Sequence, residues 1–76
     1  MTKRQLEVLR IMRDEDEELV YERGTGYIDL EPVAARTVFA LLRECAIHLE
    51  QFSTVGKMER YTINETGRKI LEEAGV

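Results

Sequence analysis

Arg36 and Arg43 stand seven residues apart, with Thr37 and the small Ala40 between them, inside the stretch Pro32–Cys45, Pro-Val-Ala-Ala-Arg-Thr-Val-Phe-Ala-Leu-Leu-Arg-Glu-Cys. At helical spacing Arg36, Ala40 and Arg43 share one face, with Thr37 and Glu44 on one flank and Phe39 on the other. Ala34, Val38, Leu41, Leu42 and Cys45 share the opposite, apolar face, which is expected to be the buried one. Pro32 has a fixed φ and no backbone N–H, which suits the entry to a helix. Two guanidiniums on one stripe around a small residue is what a helix needs to enter a nucleic-acid groove. The plain alternative is that both arginines are ordinary solvated charges.

A second pair of cations follows. Ile47-His48-Leu49-Glu50 and Glu59-Arg60-Tyr61-Thr62-Ile63 alternate as strands do, and Ser53-Thr54-Val55-Gly56-Lys57 supplies the loop between them. The predicted hairpin carries Lys57 at its tip and Arg60 further down, with Ile47, Leu49, Tyr61 and Ile63 facing inward. Together with Arg36 and Arg43, these would place positive charge on two successive elements.

Catalysis finds little footing. His48 is the only histidine and Cys45 the only cysteine, so no metal set assembles, and Ser53 lies in a loop without a positioned base. The acidic run Asp14-Glu15-Asp16-Glu17-Glu18 lacks the spaced carboxylates and central glycine of a calcium loop, and reads as a solvated turn. Gly24-Thr25-Gly26 has neither a following lysine nor a dinucleotide fingerprint. The chain is therefore read as a non-enzyme with no cofactor.

The positioning elements can be read in order. Thr2-Lys3-Arg4-Gln5 has the spacing of a capping box, opening a helix from about Lys3 to Arg13 with Leu6, Leu9 and Met12 as its core stripe. Val8 and Ile11 lie off that stripe. Either the small domain wraps this helix on two sides, or Val8 and Ile11 meet a second subunit. The second reading predicts a homodimer with Val8 and Ile11 in its interface. Leu19–Glu22 and Tyr27–Leu30, separated by a turn with two glycines, read as an N-terminal hairpin. At the far end Asn64 caps a helix over Glu65–Ala74, whose Gly67, Ile70, Leu71 and Ala74 share a face.

The chain has 76 residues, 43% hydrophobic and 34% charged, which fits a single α+β domain spanning 1–76. A core this small gives few kcal/mol, so dimerisation is a natural supplement. No stretch is long and apolar enough for a membrane span, and a cytoplasmic location is expected. The net charge of −4 opposes nucleic-acid binding at long range. It is unevenly spread, however: residues 1–31 hold nine acidic and five basic groups, whereas residues 32–76 hold six of each.

Arg60-Tyr61-Thr62-Ile63-Asn64-Glu65-Thr66-Gly67-Arg68-Lys69-Ile70-Leu71 resembles the end of the wing in winged-helix DNA-binding proteins. There an aromatic-x-apolar strand runs into a capped helix with a glycine in its first turn, then a basic residue and an apolar pair. Val33–Leu49 is similar to the family's recognition helix running into the first wing strand, so the resemblance covers about residues 33–74. It is nearest to the phenolic-acid-repressor and multiple-antibiotic-resistance regulators and their small phage and archaeal relatives. It departs over residues 14–31, where the family has a helix and this chain reads as a hairpin. The resemblance implies a small winged-helix domain of three helices with a β-hairpin wing, here with an extra N-terminal hairpin. It implies a transcription regulator that binds double-stranded DNA, with Arg36, Thr37, Ala40 and Arg43 facing the major groove and Lys57 and Arg60 touching phosphate from the wing. The alternative is a winged-helix protein-interaction module, a phage-type inhibitor or assembly subunit. A continuous positive stripe from helix to hairpin favours DNA; its interruption by Glu44, Glu50 and Glu59 favours a protein partner.

Overall fold

The computed structural model describes residues 1–76. The elements run α1 (Lys3–Asp14), β1 (Leu19–Glu22), β2 (Thr25–Ile28), β3 (Glu31–Val33), α2 (Ala35–Arg43), β4 (Ile47–Ser53), β5 (Met58–Ile63) and α3 (Glu65–Glu73). The fold is α+β: three helices and one antiparallel sheet of five strands in the order β3-β2-β1-β5-β4. No helix is long and apolar enough to cross a membrane.

Both ends of the chain follow their local signals. Thr2 Oγ1 accepts from the Gln5 amide at 3.2 Å while the Gln5 side chain accepts from the Thr2 amide, so the capping box closes and α1 starts at Lys3. Negative charge at a helix C-terminus opposes the macrodipole, and here it is neutralised locally. Asp14 accepts from Arg13 Nε at 2.7 Å and lies 3.8 Å from Arg10, and the Arg13 bond in particular holds its carboxyl below the usual range. Asn64 Oδ1 accepts from the Gly67 amide at 2.9 Å and opens α3.

Beyond Asp14, the last residue of α1, residues 15–31 contain no helix. Arg23 and Gly24 take φ of 51° and 84°, the left-handed pair that a two-residue hairpin turn requires, and β1 pairs with β2 across it. A second turn follows at once. Asp29 and Leu30 also lie at positive φ, and the chain folds back as β3, an edge strand absent from the sequence reading. Pro32 therefore sits in β3 rather than at the helix entry, and Ala34 is the N-cap of α2.

The sheet gathers through one long-range ladder. β1 pairs with β5, setting Leu19 opposite Tyr61 and Tyr21 opposite Glu59, and β4 closes the far side against β5. Leu19, Ile28, Val33, Ile47, Tyr61 and Ile63 point to the helix layer and join Val8, Leu9, Met12, Val38, Leu41 and Leu71 in the core. The alternate residues Val20, Tyr27, Arg60 and Thr62 lie on the uncovered face. Both edges are irregular: β3 is three residues long and contains Pro32, and β4 carries a bulge between Leu49 and Gln51.

Two sequence expectations are corrected by packing. Val8 is fully buried inside the protomer, so α1 is wrapped on two sides by its own domain and Val8 offers nothing to a second subunit. Ile11 is partly buried against the same core. On α2 the buried side is Thr37, Val38, Ala40 and Leu41, rotated from the expected stripe. Val38 presses on β2 beside Gly26, while α1 covers the Thr37–Ala40 side. Ala34 and Cys45 are consequently exposed. Gly67 behaves as its place in α3 suggested: it is buried, and a Cβ there would strike the Ala46 carbonyl and lie 2.7 Å from Ile63 Cγ1.

Candidate nucleic-acid interface

The packing of α1 on α2 leaves a cleft of about 610 Å³ open to solvent, lined by Thr2, Arg4, Gln5, Ala34, Arg36, Thr37, Ala40 and Arg43. Three arginines line it and no carboxylate does. Arg36 and Arg43 are exposed and take part in none of the five ion pairs of the protein. Seven residues at about 1.5 Å rise separate their Cα atoms by about 10.5 Å along α2.

Arg4 comes from the other wall. Its Nη1 donates to Glu7 at 2.8 Å, one turn along α1, and its Nη2 donates to the Pro32 carbonyl at 3.2 Å. These two bonds hold the guanidinium beside the chain leading into α2 and leave three of its five N–H groups free. Sequence reasoning did not single out Arg4. Nothing in its neighbourhood distinguishes it from Lys3 or Arg10, and its role arises only when α1 lies across the start of α2.

The start of α2 is itself unfinished. Ala34 has no side-chain acceptor to offer, and the first amides answered within the chain are those of Thr37 and Val38, both to the Ala34 carbonyl. The amides of Ala35 and Arg36 have no acceptor within the chain, so the positive end of the helix is left uncapped next to Ala34 and Arg36 of the cleft.

The six expected DNA contacts therefore divide. Arg36 and Arg43 are exposed on α2 and share the cleft with Arg4. Thr37 and Ala40 do not form the front of the helix: they are 6% and 7% exposed and make the floor of that cleft, because α1 covers them. Lys57 sits in the β4–β5 turn with φ of 51°, lining a separate cleft with Tyr21, Arg23, Phe52 and Glu59. Arg60 points from the uncovered face of the sheet and pairs with Glu18 at 3.5 Å. Helix and hairpin cations thus do not join in one stripe: Arg60 lies on the other face of the sheet, and Lys57 shares its cleft with Glu59. The Glu59 carboxylate accepts from Tyr61 Oη at 2.8 Å, and burial with this bond pushes the Tyr61 phenol up to about 12.

Beyond the helices the inward face of the sheet runs on uncovered. Leu49 and Phe52 of β4 are about half exposed there, beside Tyr21. Phe39 of α2, 48% exposed, packs against Tyr21 in a tilted arrangement, ring centroids 5.4 Å apart and planes at 60°. No family model, curated protein or solved structure matches this chain.

Proposed function

We propose that the protein is a small DNA-binding regulator of the winged-helix kind that grips duplex DNA through α2 and the first turn of α1. The cleft with the unpaired Arg36 and Arg43 beside Arg4, which is itself paired with Glu7, carries this reading. Positive side chains in an acidic chain are commonly neutralised by neighbours, and the two on α2 are left free. Their separation along the helix is comparable with the about 12 Å width of the major groove, so both lips or the base edges between them come within reach. The β4–β5 hairpin after α2, leading into a capped α3, supports the winged-helix assignment. The strands β1–β3 stand where that family has a helix, so phosphate contacts that such a helix would make pass to the first turn of α1.

A labelled duplex titrated by anisotropy at about 50 and about 200 mM salt is the test. Each arginine on a phosphate contributes about −0.9 to the log–log salt slope, so Arg36→Ala or Arg43→Ala is expected to shallow it by about one. If either reads guanine, its loss instead costs about 1–3 kcal/mol at one base position. Arg60→Ala is expected to change nothing, because Arg60 faces away and is paired. Folded protein that fails to bind at the lower salt removes the proposal.

A second reading, a protein-interaction module, draws on the uncovered aromatic face of Tyr21, Phe39, Leu49 and Phe52 and on the separation of the helix and hairpin cations. Apolar surface of this kind commonly marks a protein contact. Under it, charge reversal at Arg36 leaves partner capture intact while Phe39→Ser and Phe52→Ser abolish it.

A further inference from the structure

We infer that the α1–α2 cleft is a phosphate site in its own right, built from the Ala35 and Arg36 amides, the Thr37 hydroxyl and the Arg4 guanidinium. The inference rests on the nucleic-acid reading of the same cleft and specifies which atoms receive the anion. An uncapped helix start alone would be weak ground, since water satisfies such amides well. Thr37 supplies the independent observation. It is 94% buried by its 6% exposure, and its hydroxyl makes no hydrogen bond within the chain. Yet no buried side-chain nitrogen or oxygen of the protein is sealed off without a partner. The hydroxyl must therefore reach the surface, and the surface that Thr37 lines is the cleft.

Arg4 is tied to the chain that leads into α2. Arg4 Nη2 lies 3.2 Å from the Pro32 carbonyl, three residues before the first free amide of α2. A phosphate oxygen placed at the helix start meets two amides and the positive end of nine helical residues. Thr37, in the first turn, gives a third donor, and the free N–H groups of Arg4 give a charged one. Arg43, two turns along, lines the same cleft. The shared chemistry is a phosphate group. Its source is either the backbone diester of a duplex or a free phosphate or phosphomonoester.

Amide-resolved NMR on the uniformly ¹⁵N-labelled full chain, near neutral pH, tests this with two probes. Inorganic phosphate is titrated against chloride at matched ionic strength, and a short duplex is titrated separately. The Ala35, Arg36 and Thr37 amide signals are expected to move and saturate with phosphate and not with chloride. Thr37→Val, which removes only the hydroxyl, is expected to weaken the phosphate about tenfold. Ala34→Asp supplies the missing cap as a fixed carboxylate. It is expected to abolish phosphate binding while raising Tm by about 4–8 °C, so loss of binding cannot be loss of fold. Phosphate that leaves these amides unmoved, or that binds the Ala34→Asp chain as well as the parent, overturns the site.

The two probes separate the site from the reading it rests on. Saturation by phosphate without duplex binding keeps the site, assigns it to a free phosphate and removes the DNA proposal. Duplex binding that leaves the three amides unmoved and is indifferent to Thr37→Val keeps DNA binding and removes the site. Movement of the same amides by both probes, weakened alike in Thr37→Val, assigns the site to the backbone diester.

Discussion

Two clefts of nearly equal size, about 610 and about 600 Å³, lie on opposite sides of the sheet and differ in almost everything else. The first is walled by α1 and α2 and carries Arg4, Arg36 and Arg43. The second lies against Val20 and Tyr27 on the uncovered face and carries Asp16, Glu17, Glu18 and Asp29. A net charge of −4 is thus a poor guide to either surface. Sign is set locally, by which segment the fold delivers to which side. Footing differs as well: the basic cleft stands on helices locked into the core, whereas the acidic one is made of a loop, a turn, the half-buried Val20 and the exposed Tyr27. Carboxylates gathered without a buried frame are solvated charge, and no cluster of metal-binding geometry forms among them.

The difference in footing can be broken most severely at Val8. It is 0% exposed beneath the α1 wall, so Val8→Asp places an unpaired charge in the core and is expected to cost about 3–5 kcal/mol, read as loss of the folded state in urea melts. Retention of stability together with a fall in mass would restore the interface reading of this residue. Gly67 is the next point of attack, since α3 braces α1 and comes against Ala46 and Ile63 through the missing Cβ. Gly67→Ala gains about 1 kcal/mol of helix propensity, yet is expected to be destabilising by about 1–3 kcal/mol net, because the added carbon meets backbone at Ala46. Thermal melts against the parent decide the sign. The smallest effect sharpens the comparison from the acidic side. The molecule measures 38 × 22 × 19 Å, so charges across its width lie about two to three Debye lengths apart at about 0.15 M salt. Neutralising Asp16 and Glu17 together (Asp16→Asn, Glu17→Gln) should strengthen duplex binding less than about twofold there, and more at low salt. A large gain at about 0.15 M would mean that the two sides are not electrically separate.

Much of the scaffold was legible because its signals are local. The Thr2–Gln5 capping box, the Arg23-Gly24 turn, the Asn64 cap and the buried Gly67 each act within a few residues of their effect. The turn at Asp29-Leu30 was not legible, since it contains no glycine and puts a leucine at φ 67° with 97% of its surface exposed; β3 was missed with it. The rotation of α2 was hidden for a different reason. Its periodicity admits an apolar stripe through Ala34 and Cys45, and only the arrival of α1 over Thr37 and Ala40 decides otherwise. Half of the candidate site follows from that. Arg36 and Arg43 could be read from their own helix, whereas Arg4 and the open hydroxyl of Thr37 exist as functional groups only after two distant segments meet.

The irregular edges of the sheet limit how this protein can associate. A strand row ending in free amides and carbonyls is a template on which another chain can add, copy after copy. Here one border is three residues with a proline, which has no N–H to offer. The other is kinked at Glu50, where His48 and the Glu50 carboxylate lie 3.3 Å apart. Neither border presents a straight run of the length that fibre growth or strand addition uses. The two borders are therefore poor templates for polymerisation, and a partner gains little by adding a strand at either edge of the sheet.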